Sequence, residues 1–231
     1  MPSKIQTDKL LNRIYSDMSC VGVNLVAPRE ESSSFVDIEK TLIQCAAVLG
    51  ESKDGRLLSL VFSWLDMHSK YVIVEKLKKL TDQYEQVSPE PLVWLSSFGH
   101  YCWKVKKQHK WKAIASKYPD EHYLEPQELS KIFIEKNGNY PWLEGTGISI
   151  AEGTIRFRRA DIMTASQLSE TNHQFKNRLK FGPAWRADIV MAIEKGAKTS
   201  GEIRELVGCS AEPARRILND YMQMFNGAIT E

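Results

Sequence analysis

The side chains best suited to metal ligation or nucleophilic catalysis are five histidines, His68, His100, His109, His122 and His173, and four cysteines, Cys20, Cys45, Cys102 and Cys209. Their spacing suits neither chemistry. His100 and Cys102 stand close together, with His109 and His122 beyond. No C-x-x-C pair accompanies an H-x-x-x-H pair, the arrangement by which sequence-local ligands close a tetrahedral zinc site. The G-x-S-x-G turn that exposes a nucleophilic serine is absent. So are H-E-x-x-H and the Gly-rich loop that cradles phosphates. The adjacent acids Glu30 and Glu31 lie in a polar stretch where water keeps them solvated. Neither catalysis, a metal nor a cofactor is expected.

The chemistry that remains is charge and hydrogen bonding. Two stretches carry it: TSGEIRELVGCSAEPARRILNDY at 199–221 and WKVKKQHKW at 103–111. In the first, Arg215 and Arg216 can each bond guanine O6 and N7 in bidentate fashion, and Asn219 can do the same to adenine. With Thr199, Ser210 and Glu212 they form the expected DNA-binding set. Other cations are candidates for phosphate contacts, which position a protein without reading bases. These are Lys104, Lys106, Lys107, Lys110 and Lys112, then Arg156, Arg158 and Arg159, then Lys176 and Arg178. Lysines interleaved with tryptophans also suit single-stranded nucleic acid, whose bases stack on rings. Equally, Trp103 and Trp111 can anchor the segment to a core while the lysines stay in water.

Three short helices must position the first stretch. The earliest runs from about Ala184 to Lys195, with Trp185, Ile189, Ala192 and Ile193 on one face and Gly196 as its stop. Thr199 and Glu202 have capping-box spacing, in which each satisfies an orphan N–H at the start of a second helix. Ile203, Leu206 and Val207 form the apolar side of that helix. Gly208-Cys209-Ser210 is a tight turn, and Ser210 is expected to cap a third helix. Ala214, Ile217, Leu218 and Tyr221 fall on one face of this last helix. Glu212, Arg215, Arg216, Asn219 and Gln223 fall on the other.

Two helices joined by a short Gly-containing turn make a helix-turn-helix. The 199–221 stretch resembles the helix-turn-helix of bacterial winged-helix transcription regulators, where T-x-x-E-I-x-x-x-x-G-x-S-x-x-x-x-R-x-L-x-x-L recurs. The resemblance covers about the last fifth of the chain. It implies a module that lays its third helix in a DNA major groove and acts in transcription regulation. A winged helix continues into a β-hairpin, and little sequence follows Phe225. Any wing is expected to be rudimentary or to come from elsewhere in the chain.

The rest of the chain reads as helices. One is expected over 4–18, with Ile5, Leu10, Leu11 and Ile14 inward. An extended piece covers Val21 to Val26, and a polar connection covers Pro28 to Ser34. Ser34 should cap a helix through Ile38, Leu42, Cys45 and Leu49 that Gly50 closes. Asp54 should cap LLSLVFSWLDMH, which is apolar all round and therefore central. A helix from Ser69 would bury Ile73, Leu77, Leu80 and Tyr84 and leave Lys76, Lys78 and Lys79 outside. Ser88 and Pro89 should open one that buries Leu92, Val93, Leu95 and Phe98. Pro126 starts another through Leu129, Ile132 and Phe133. Ile148 and Ile150, then Ile155 and Phe157, flank Ala151-Glu152-Gly153 and predict a β-hairpin. A helix over 165–180 would turn Leu168, Phe175 and Leu179 inward and Lys176, Arg178 and Lys180 outward.

The chain has 231 residues, 42% hydrophobic, 10% aromatic and 26% charged, with a formal net charge of +2. That suits one or two globular domains and allows nucleic acid as a partner without arguing for it. The N-terminus lacks an apolar signal region. No run approaches the ~20 apolar residues of a membrane span. A cytoplasmic protein with reduced thiols is expected. The fold expected is mostly α: a helical domain over 1–140 for dimerisation, partner binding or sensing, then a hairpin junction and helix-turn-helix over 141–231. The function expected is sequence-specific binding of double-stranded DNA by a homodimer. Its alternatives are a protein-interaction or antitoxin-like regulator and an RNA-binding protein.

Overall fold

The computed structural model describes residues 4–25, 36–85, 90–124 and 127–226, and these are mostly α-helical. They divide into two compact units, Met1–Ala165 and Ser166–Glu231. Residues 141–165, read in sequence with the second part, therefore belong to the first unit.

In the first unit α1 spans Lys4–Cys20, α2 Ile38–Ser52, α3 Gly55–His68, α4 Val74–Glu85, α5 Glu90–His100 and α6 Gln127–Asn137. The centre is α3. Its residues Leu57, Leu58, Leu60, Val61, Phe62, Trp64 and Leu65 are all buried, as an all-round apolar helix requires. Each such side chain contributes roughly 1.5–3 kcal/mol by leaving water. Asp54 starts the helix by accepting from the N–H groups of Arg56 at 2.8 Å and Leu57 at 3.1 Å. Next to α3, α2 packs on α5, which buries Leu92, Val93, Trp94, Leu95 and Phe98.

Several local expectations are corrected. Ser34, Ser88, Pro89 and Pro126, and the connection 28–34, lie outside the described residues. The cap of α2 is Asp37, whose Oδ1 accepts from Lys40 N at 3.0 Å. Gly50 does not close α2; the helix runs on to Ser52 and ends on Lys53 in a left-handed conformation. Ser69 opens a 3-10 turn, Ser69–Tyr71, and α4 begins only at Val74. Lys76 is buried rather than outside: its ammonium pairs with Asp37 and lies 3.6 Å from Glu39. Periodicity placed Lys76 outside because it ignores buried acids on other helices.

The expected hairpin at 148–157 does not form. Ile148–Ser149 (β2) pairs in parallel with His122–Tyr123 (β1), with His122 opposite Ile148. The segment 155–158 finds its partners on α3 instead. Ser59 Oγ accepts from Arg156 N at 3.1 Å, and Ser63 Oγ accepts from Arg158 N at 2.7 Å. Two serines one helical turn apart thus take the place of a neighbouring strand. In α6 the stripe Leu129, Ile132 and Phe133 faces solvent, while Ser130 is buried.

The second unit contains α7 (Ala165–Thr171), α8 (His173–Phe181), α9 (Trp185–Glu194), α10 (Ser200–Val207) and α11 (Ala211–Asn226). The single helix expected over 165–180 is two. Asn172 breaks it by accepting from Phe175 N at 2.8 Å and capping α8. The three helices expected over 183–224 are present. Their core comprises Ile189, Val190 and Ala192 of α9, Ile203 and Val207 of α10, Cys209, and Ala214 and Ile217 of α11. Among the described residues no helix is long and apolar enough to cross a membrane.

Candidate nucleic-acid interface

The geometry of α10 and α11 starts from its caps. Thr199 Oγ1 accepts from Glu202 N at 3.2 Å. The Glu202 carboxylate accepts from the backbone N–H of Lys198 at 2.7 Å. That hydrogen bond, first among several, holds Glu202 below the usual carboxylate range. Thr199 therefore holds the helix start. Gly208 ends α10 with φ 80°, where a side chain would be strained, and its N–H donates to Arg204 O at 2.8 Å. Cys209 then turns into the core, and Ser210 is exposed just ahead of α11. The third residue of α11 is Pro213, which has no N–H, so Ser210 cannot make the usual bond from N-cap to N3.

The residues of α11 sort cleanly. Ala214 and Ile217 are buried, and Leu218 and Tyr221 are half-buried against the same core. Glu212, Arg215, Arg216, Asn219 and Gln223 are all exposed. Their spacing of three, four and seven residues puts them on one face. Arg215 Nη2 lies 3.1 Å from Glu212 Oε2, with both side chains well exposed. Such a surface pair contributes ~0–1 kcal/mol, so another acceptor displaces it at little cost. Arg216 lies toward α9, where it borders a surface hollow with Trp185, Arg186, Pro213 and Asp220. Sequence reading missed Arg186, which is a second arginine at that hollow. Only the packing of α11 across the start of α9 reveals it.

The other candidate cations are dispersed. Arg178 is corrected outright. It is fully buried and held by Asp188, so it cannot meet a phosphate. Lys176 is exposed on α8. In the first unit Lys104 donates to Trp142 O at 2.9 Å, and burial, ahead of the nearby Lys117 charge, pushes its pKa down. Lys106 pairs with Asp66 at 2.7 Å. Lys110 donates to the carbonyls of Lys70 at 2.7 Å and Val72 at 2.8 Å, at the end of the turn that follows α3. The Lys112 ammonium sits 5.5 Å from the Trp103 ring centre. Lys107 is exposed with a left-handed backbone. The run 103–112 is thus largely internal wiring around Trp111, which is buried. Arg156 is exposed, Arg158 lies 3.6 Å from Asp161, and Arg159 pairs with Asp66 at 2.6 Å.

Sequence reading offers the helix from Leu57 and the tryptophans at 94, 103 and 111 as apolar surface for joining two copies, and the structure buries most of it. Every apolar residue of α3 from Leu57 to Leu65 is buried, and so are Trp94 and Trp111, while Trp103 carries Lys112.

Comparison of the chain with family models, with curated proteins and with solved structures gives no match.

Proposed function

We propose that the chain regulates transcription by binding double-stranded DNA sequence-specifically, with α11 entering the major groove. The observation that carries this reading is the division of α11. One face is committed to the three-helix core. The other presents Arg215, Arg216 and Asn219, the side-chain types that read guanine and adenine edges. The N-terminal half of a recognition helix is the part that meets bases, and Arg215 and Arg216 stand in that half. Arg186 beside Arg216 offers a phosphate contact from α9. A homodimer on paired half-sites would use the exposed α6 stripe rather than the buried tryptophans. Selection of bound sequences from a random duplex pool tests the reading. Enrichment of a shared motif supports it, and an unenriched pool contradicts it.

A second reading has its own support. The α11 face carries Glu212, and Asp220 and the well-exposed Met222 and Met224 lie around it. Mixed charge with methionine suits a protein partner. In that reading α11 contacts protein, as in an antitoxin-like regulator, and duplex DNA does not bind at low salt. Less supports the RNA-binding reading, since Lys104, Lys106 and Lys110 bond within the first unit.

A further inference from the structure

The first unit holds a cavity of about 220 Å³ that takes no part in the reading above. Four separate segments build it. Asp66 comes from the end of α3, and Tyr101 and Val105 from the turn after α5. Tyr140 precedes a 3-10 turn that contains Trp142, Phe157 lies on the extended segment that Ser59 and Ser63 hold, and Arg159 follows it.

The walls are aromatic faces. Trp142 lies 5.6 Å from Tyr101 and 5.4 Å from Tyr140, and Phe157 lies 5.8 Å from Tyr101, centre to centre. The two phenol groups are engaged elsewhere, which leaves their rings as the surface. Tyr101 donates to Asp66 at 2.9 Å, and Tyr140 accepts from Gly153 N and Ile155 N. At the rim, Phe157 is 46% exposed and Val105 44% exposed. Apolar and aromatic side chains at the mouth of a hollow are the lining that small-molecule sites favour.

Charge decides what the hollow accepts. An aromatic enclosure beside a carboxylate would suit an organic cation. Here Asp66 is already satisfied: Lys106 lies 2.7 Å from one oxygen and Arg159 2.6 Å from the other, with Tyr101 as a third donor. Burial raises the Asp66 pKa, but these hydrogen bonds outweigh it and hold the group below the usual carboxylate range. One negative charge therefore faces two positive ones. Arg159 gives Nε and Nη2 to Asp66 Oδ2, and its side chain is 70% exposed. A guanidinium has five N–H donors, so three remain beyond these two. The cavity is below the ~300–1,000 Å³ of sites for drug-sized ligands, which limits the guest to one ring system.

We propose that this cavity binds a small planar aromatic acid, its ring among Trp142, Tyr140 and Phe157 and its carboxylate on Arg159. The site is independent of α11.

Calorimetric titration of the full chain with indole-3-carboxylate, indole and tryptamine tests the assignment. Indole-3-carboxylate should bind, and indole should bind about tenfold or more weakly, the worth of a charge-assisted hydrogen bond. Tryptamine should bind most weakly. Arg159→Gln should reduce the affinity for the acid by about the same factor and leave indole unchanged. Phe157→Ala should weaken acid and indole alike; this residue is half exposed and lies outside the helices, so the variant tests the site even if Arg159→Gln perturbs the fold. Four outcomes would overturn the proposal: no heat for the acid at millimolar concentration, equal affinity for acid and indole, tighter binding of tryptamine, or unchanged acid affinity in Phe157→Ala. A short single-stranded oligoribonucleotide that displaces the acid and binds more tightly would also overturn it, making the cavity a base pocket.

Discussion

Arg178 donates from Nε and Nη2 to the two carboxylate oxygens of Asp188, each at 2.8 Å, and neither side chain is exposed. Gln174 adds a third donor to Asp188 at 2.9 Å. This pair ties α8 to α9, the first of the three helices that carry the candidate interface. Removing one partner takes these two hydrogen bonds from a buried charge, which costs about 3–5 kcal/mol. Arg178→Met and Asp188→Leu should each lower stability by about that much in urea unfolding. The double variant should lose less than the sum of the two, because the two side chains share these hydrogen bonds. An additive double variant would mean that the two groups do not depend on each other.

His100 gives the fold an acid sensitivity. Its Nε2 lies 2.8 Å from Ser116 O, so the neutral ring carries its proton there, and Nδ1 is buried with no hydrogen-bond partner. Burial, ahead of the Lys104 and Lys117 charges, pushes its pKa down. The unfolded chain then binds the proton more readily than the folded chain. Stability should be full above the ordinary histidine value of about 6.5 and fall as pH drops below it. His68 shifts in the same direction, again mainly through burial. His100→Gln should flatten part of the stability-against-pH curve below about pH 6.5. An unchanged curve would remove His100 from this role.

Thiol chemistry separates the cysteines. Cys45, Cys102 and Cys209 are buried, and burial raises the thiols of Cys45 and Cys102. Cys20 is half-buried. A thiol reagent should label Cys20 first in the folded chain, and the other three only on unfolding. Fast labelling of Cys102 under native conditions would contradict the packing around Trp111.

The elements nearest the candidate interface were the most legible in the sequence. Thr199, Glu202 and Gly208 act through neighbours within about four residues, so spacing alone placed α9, α10 and α11. What failed was long-range. Arg178 and Lys76 looked solvent-facing because their acids, Asp188 and Asp37, are distant in sequence. The strand expected at 155–157 went to α3 because alternation cannot show that Ser59 and Ser63 would accept its N–H groups. Leu129, Ile132 and Phe133 have core spacing yet face solvent. The aromatic cavity left no local pattern at all, since four segments contribute to it.

The core beneath α11 and its outer face should separate by mutation. Ile203 is fully buried in the three-helix core. Ile203→Ala should destabilise the chain by about 2–5 kcal/mol. Leu218 is only half-buried, so Leu218→Ala should cost less than Ile203→Ala. Arg215→Ala and Arg216→Ala should change stability by less than about 0.5 kcal/mol, as exposed substitutions do. Thermal unfolding of the four variants measures this order, and a large loss in either arginine variant would place that residue in the packing.

The most direct measurement is fluorescence anisotropy of a labelled random duplex titrated with the chain and with its Arg215→Ala, Arg216→Ala double variant, across rising salt. Binding by the unaltered chain should weaken steadily as salt rises, because bound phosphates release counterions. The folded double variant should bind more weakly, with a salt slope smaller by about one for each arginine that holds a phosphate. A double variant that stays folded and binds duplex with undiminished affinity would contradict DNA reading by α11. So would an unaltered chain that shows no duplex binding at low salt, and that outcome would favour the protein-interaction reading.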